Sequence, residues 1–257
     1  MTFPKKSLGQ NFLIDFNIIK KIINLTAIKN RNILEIGPGK GALTDKILEN
    51  NPKSLILIEK DNNLFNNLVN KYKKNKIIKI YNEDILKFNL EKILKNKTII
   101  FGNLPYNISS QILIKLIKFN IWPPNYSELI LMFQKEVAEK IIGKSYGRLS
   151  IIVNFRLKIL NKFNISSNCF FPKPKVMSTV VHFQTKIINN YKIKNLKNLE
   201  NITNIFFSNK RKMINKNIKK ILKINQLSML NSLNLNQRPS DLKPEIYYRI
   251  VELFESK

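Results

Sequence analysis

The sequence predicts an α/β fold, a mostly parallel sheet covered by helices, followed by a small all-helical C-terminal domain. Three observations lead there. Apolar runs of strand length alternate with stretches of helical period through the first two-thirds of the chain. The first of those runs ends in a glycine-rich turn that opens a helix. After about Thr185 the helical period continues with no strand-like run between its segments.

The elements follow in order. Asn32–Ile36 is a short apolar run that stops at Gly37-Pro38-Gly39-Lys40-Gly41, and Ala42–Leu48 then carries apolar residues at helical spacing. Ser54–Glu59 is the second strand, and Lys76–Tyr81 is the third, ending near Asp84. Thr98–Gly102 reads as a buried strand that leads into Asn103-Leu104-Pro105-Tyr106, and Ser109–Leu113 as a helix start. Leu129–Phe133 is a further strand. Ser150–Phe155 and Thr179–Phe183 read as closing strands, antiparallel at the edge. Beyond them, Ile202–Phe207, Met213–Ile224 and Ile246–Phe254 read as helices, and Arg238–Asp241 as a turn with a helix-start signal. The Lys/Asn-rich stretches Lys71–Lys76 and Asn189–Asn201 read as solvated loops or helix faces. These readings divide the chain into residues 1–185 and 186–257.

Composition limits the chemistry. A chain of 257 residues, 44% hydrophobic and 24% charged, suits a large core with a small appendage. No apolar run is long enough to cross a bilayer, and Met1–Ser7 lacks the apolar core of a signal peptide, so the expected location is the cytoplasm. The single cysteine, Cys169, excludes an intramolecular disulfide. The single histidine, His182, lies in a strand-like run and reads as structural. Zinc chemistry and histidine-dependent nucleophiles are therefore disfavoured, and no metal is expected. A formal charge of +28 points to a polyanion such as nucleic acid, although the abundance of Lys, Asn and Ile is also what an AT-rich genome produces.

The candidate chemistry lies at the strand tips, where open α/β sheets bind ligands. The glycine loop fits the dinucleotide fingerprint G-x-G-x-x-G poorly, because Ala42 takes the last position. Glu59 ends the second strand, where a carboxylate accepts hydrogen bonds from both ribose hydroxyls. Asp84 follows the third, within reach of an adenine amine. A glycine loop with acids at successive strand ends suits S-adenosylmethionine better than a dinucleotide. Asn103 to Tyr106 combines an amide, a rigid proline and an aromatic ring, a set suited to gripping the exocyclic amine of a flat base.

With these motifs in place, the chain resembles the ribosomal RNA adenine N6-dimethyltransferases, closest to the small-subunit (16S) branch. The resemblance rests on Leu8–Leu13, Glu35–Gly41, Ile58-Glu59, Glu83-Asp84 and Phe101–Ser109, then on Gln134–Val137, Tyr146–Ser150 and Phe170–Val176 and, more loosely, on Phe206–Met213. It implies a class I, Rossmann-like methyltransferase sheet. It further implies that residues 1–185 bind S-adenosylmethionine and that residues 186–257 bind RNA. Asn11, Leu13, Gly37, Glu59, Asp84 and Asn103 would contact the cofactor. Asn103, Leu104, Pro105 and Tyr106 would carry the chemistry, and Phe170 would sandwich the target base opposite Tyr106. Lys210, Arg211 and Lys212 form a candidate phosphate-contacting patch.

The expected activity is dimethylation of N6 on two adjacent adenines of a small-subunit rRNA hairpin during ribosome biogenesis, by a monomer with no membrane partner. The N6 lone pair is delocalised into the ring, so the protein has to orient it, with the Asn103 side-chain oxygen and the Leu104 carbonyl accepting from the amine. No general base is required, because the product ammonium is acidic enough to lose its proton to water. Two other readings remain: a 23S rRNA adenine methyltransferase, and a non-catalytic ribosome-assembly factor. Intact Glu59, Asp84 and Asn103 argue against the latter.

Overall fold

The computed structural model describes residues 9–143, 147–187, 190–230 and 233–256. Leu8, Tyr146, Asn189 and the Met1–Ser7 segment lie outside the described residues. The chain forms two compact units. One contains the residues through Ala138 together with Lys158–Thr185; the other contains Glu139–Leu157 together with the residues from Lys186 onward. The sequence reading divides the chain once, into residues 1–185 and 186–257, whereas here Glu139–Leu157 groups with the helical unit.

The first unit opens with β1 (Phe12–Leu13) and α1 (Phe16–Ile23), whose N-cap Asp15 accepts from the Ile18 N–H. Then come β2 (Asn32–Ile36), α2 (Ala42–Glu49), β3 (Ser54–Glu59), α3 (Asn62–Tyr72) and β4 (Ile78–Asn82). The chain continues through β5 (Thr98–Asn103), α4 (Ser109–Ile117), β6 (Tyr126–Gln134) and α5 (Lys135–Ile142). After α6 (Arg148–Arg156) it returns as β7 (Leu157–Ile165), β8 (Phe170–Phe171) and β9 (Ser178–Thr185).

Seven strands form one sheet in the order β4-β3-β2-β5-β6-β9-β7. The pairs from β4 to β6 are parallel and β9 runs antiparallel to β6. The chain steps from β2 outward to β4, then crosses to the other side of β2 to lay down β5. That reversal opens a crevice at the carboxyl ends of β2 and β5. Leu34, Leu55, Leu57, Ile99, Ile100 and Phe101 are sealed from solvent, as a parallel sheet with both faces covered requires.

Two expectations change. Ser150–Phe155, expected as a strand, lies inside the helix α6. A short continuous apolar run has no distinguishing period. Here the Gly147 N–H donates to Ser150 Oγ at 3.0 Å and starts a helix, with Ile151, Ile152, Val153 and Phe155 all buried. The sheet edge is instead β7, whose many exposed residues hid its period, so β9 is an inner strand.

The second unit adds α7 (Leu196–Phe207), α8 (Asn215–Ile221), α9 (Ile224–Leu227) and α10 (Pro244–Glu255) to α6. The expected helix Met213–Ile224 is shorter, because Leu222 and Lys223 are extended and separate α8 from α9. Tyr248 Oη donates to the Ile151 carbonyl at 2.8 Å, and Tyr247 packs edge-on against Phe206. No described helix is long and apolar enough to cross a membrane.

Candidate functional site

The crevice between β2 and β5 contains a cavity of about 420 Å³, the size of a nucleoside-type ligand site. Its lining includes Asn11, Leu13, Gly37, Glu59, Asp84, Asn103, Leu104, Pro105 and Tyr106, so residues spread over almost a hundred positions meet there.

The glycine loop forms the side below β2. Gly39 has φ +58°, and a Cβ on it would meet the Phe12 ring at 2.9 Å. The bare glycine lets the Phe12 ring close against the loop, and the Gly9–Leu13 segment runs along the cavity. The Lys40 ammonium sits 5.1 Å from the centre of that ring. Phe12 belongs to the Gln-Asn-Phe-Leu motif, which marks it in the sequence without giving it this role.

Glu59, at the tip of β3, is 7% exposed. Oε2 accepts the Gly39 N–H at 3.1 Å and Oε1 the Asp61 N–H at 2.9 Å. Burial pushes its pKa above the usual carboxylate value, and these two N–H donors work against the shift. The Lys60 N–H is a third donor to the carboxylate, and four lone pairs on two oxygens still leave an acceptor site. Asp84 lies two residues past β4 and is paired with Lys60 Nζ at 2.8 Å. Its other oxygen accepts the Leu86 N–H at 2.9 Å. The Lys60 contact holds its carboxyl below the usual range. Glu35, on β2, also lines the cavity and is not singled out by sequence reasoning. Its Oε2 accepts from Thr44 Oγ1 at 2.6 Å, and burial pushes its pKa up to about 8. Its signal in the sequence is an acid directly before the glycine loop.

Across the crevice, Asn103 ends β5. Its Nδ2 donates to the Asn11 carbonyl at 2.9 Å. A carbonyl only accepts, so this contact turns the amide N–H group toward Asn11 and leaves Oδ1 as the free acceptor. Leu104 is 2% exposed, with its side chain tucked where a Cβ on Gly102 would clash at 2.6 Å, so it is suited to act through its main chain. The Ile108 N–H returns to the Pro105 carbonyl at 3.1 Å and closes a tight turn into α4. Tyr106 is half-buried, and its Oη lies 2.5 Å from Ser178 Oγ.

Phe170 and the basic triplet do not line the cavity. Phe170 is 3% exposed and sits in the hydrophobic core with Leu13, its partner across the β1–β8 ribbon. Residues directly opposite in an antiparallel pair share a face, so Phe12 and Phe171 occupy the other side of the ribbon, and Phe171 is 55% exposed. Phe170 would have to leave its packing to face a base. Arg211, with Lys210 and Lys212 beside it, is exposed on the turn between α7 and α8 in the helical unit. His182 is buried against Glu128 at 2.8 Å, a structural role.

A mostly parallel sheet whose crevice is lined by a glycine loop, a carboxylate and an amide has the architecture of a Rossmann-like methyltransferase. The family model of ribosomal RNA adenine dimethylase matches residues 2–256, and the chain belongs to that family. It is 44% identical to ribosomal RNA small subunit methyltransferase A of Pelagibacter ubique, over 98% of this chain and 97% of that one. It is 38% identical to the protein of that name from Malacoplasma penetrans, over 96% and 91% of the two chains. Among solved structures it resembles a dimethyladenosine transferase from Plasmodium falciparum, with TM-score 0.79 and 27% identity over 95% of this chain and 98% of that one. The 23S rRNA methyltransferase ErmE shares the fold, with TM-score 0.75, at 21% identity over 95% and 99%.

Proposed function

We propose that this chain transfers methyl groups from S-adenosylmethionine to N6 of adenines in small-subunit rRNA, two on each of two adjacent adenines, during ribosome biogenesis. The observation that carries the reading is the facing pair at the crevice. Glu59 stands on one side with an acceptor site left over, and Asn103 stands on the other with its amide oxygen freed by Asn11.

The residues present fit the cofactor. The bare backbone at Gly37, where a Cβ would meet only the Asn103 carbonyl at 3.8 Å, leaves room for close approach, and Glu59 offers an acceptor for ribose hydroxyls. Asp84 offers an acceptor for the adenine amine, while Asn11, Leu13 and Asn103 complete the wall. When bound, S-adenosylmethionine supplies an electrophilic methyl group. Asn103 Oδ1 and the Leu104 carbonyl accept from the target amine and direct its lone pair, which is orientation and preorganised electrostatics rather than acid–base work. Tyr106 stacks on the extruded base, worth about 1–3 kcal/mol in single-strand binders. Phe170 joins the sandwich only after leaving the core. Lys210, Arg211 and Lys212 contact phosphates from the helical unit. The protein acts as a cytoplasmic monomer.

The small-subunit target is supported by the 44% and 38% identities to small-subunit enzymes. Labelled S-adenosylmethionine incubated with separate unmethylated small and large subunits tests this. Label in dimethyladenosine of the small subunit is expected; label in the large subunit overturns the target, and label in neither overturns catalysis.

A further inference from the structure

We propose that Ser178 is a positioning residue for methyl transfer, holding the Tyr106 ring in the attitude that stacks on the target base. The inference rests on the reading of Tyr106 as the stacking ring.

Ser178 begins β9 and is paired with Gln134 across from the end of β6, at the cofactor edge of the sheet. It is fully buried, and its Oγ lies 2.5 Å from Tyr106 Oη. A phenol tip half-buried beside apolar strand residues costs free energy unless its hydroxyl is bonded. Ser178 meets that need from a strand locked on both sides in the sheet. Tyr106 itself stands on the short turn after Asn103, which has no ladder to steady it. A hydrogen bond at the far end of the ring therefore removes the tilt that the turn alone would permit. The ring is then held three residues beyond Asn103, whose amide is itself fixed by Asn11.

The contact also joins two motifs that are distant in the sequence. Asn103–Tyr106 supplies the clamp, and Phe170–Val176 leads directly into Ser178. Phe171, Val176 and Met177 on that connection are exposed, while Ser178 beside them is sealed. The segment thus ends on an anchor for the clamp. This gives Tyr a use that Phe could not supply, since Phe offers the same face without the tether.

The test compares Ser178→Ala, Tyr106→Phe and the double variant on unmethylated small subunits. Loss of one hydrogen bond is expected to lower kcat for methyl transfer by about fivefold in each single variant. The KM for S-adenosylmethionine stays at the wild-type value. The double variant loses no more than either single one, because both remove the same bond. Ser178→Thr, which keeps the hydroxyl, restores turnover. Wild-type kcat in either single variant, or losses that multiply in the double variant, overturns the proposal. If Ser178→Ala does not fold, Tyr106→Phe decides alone: a fivefold loss supports the tether and full turnover removes it. An inactive wild-type enzyme would instead overturn the methyltransferase reading.

Discussion

The two walls of the crevice solve binding in opposite ways. The wall formed by the tips of β2, β3 and β4 holds carboxylates: Glu35, Glu59 and Asp84. The wall at the tip of β5, Asn103 to Ile108, holds no charged side chain and offers amides, a main-chain carbonyl, a proline and a ring. The carboxylate wall is tuned by burial and partners. Glu35 and Glu59 are raised by desolvation, while Asp84, beside Lys60, is lowered. The neutral wall is tuned by direction. Asn11 turns the Asn103 amide and Ser178 tethers the Tyr106 ring. Affinity for a cofactor can rest on charge and acceptor count, whereas activating a poor nitrogen nucleophile depends on where acceptors point.

Substitutions in each wall sharpen this contrast. Asn103→Ala should have the largest effect, a fall in kcat of about 100-fold or more with RNA affinity retained. Wild-type turnover by that variant would remove the clamp from the mechanism. Glu59→Ala should act on the other parameter, weakening S-adenosylmethionine binding by about 10-fold to 100-fold as acceptors for ribose disappear. Calorimetric titration measures it, and an unchanged Kd would break the comparison. Asp84→Asn should weaken the same binding by only about fivefold, since Asp84 is more exposed and already shared with Lys60.

Charge reversal at Lys210, Arg211 and Lys212 lies outside both walls. It should weaken RNA binding and reduce its log–log salt slope by about one unit for each phosphate no longer neutralised, leaving cofactor affinity alone. Unchanged RNA binding rejects the patch.

A separate effect is on stability. Glu35 is raised from 4.5 to about 8 when folded, so between those values the unfolded chain has lost a proton that the folded chain keeps. Its contribution therefore falls as pH rises across that window, by at most about 1.4 kcal/mol per unit, and levels off above it. Glu35→Gln should remove that slope from denaturant-unfolding midpoints measured between pH 5 and pH 8 (roughly the same window). Asp45, Glu59, Lys71 and Tyr72 surround the group and provide the background against which the slope is read.

By itself the sequence determined the mostly parallel α/β architecture and the helical character of the C-terminal part. β2 and β3 match the apolar runs Asn32–Ile36 and Ser54–Glu59 residue for residue, because a strand buried on both faces leaves a continuous apolar signature beside a glycine turn. Glu59, Asp84 and Asn103 were legible for a related reason. Residues just past strand ends are carried to one edge of the sheet by topology alone.

Tertiary structure decided the rest. Whether Ser150–Phe155 became helix or strand depended on its burial among α7 and α10, which no local period records. The sequence could not tell whether Phe170 or Phe171 faces outward, because pairing with β1 sets the side. Asn11, Phe12 and Ser178 reach the site through contacts spanning tens of residues. A carbonyl that orients an amide, a ring resting on a bare glycine and a hydroxyl tethering a phenol leave no spacing or periodicity behind. Such contacts exist only once the sheet has brought distant chain segments within hydrogen-bonding distance.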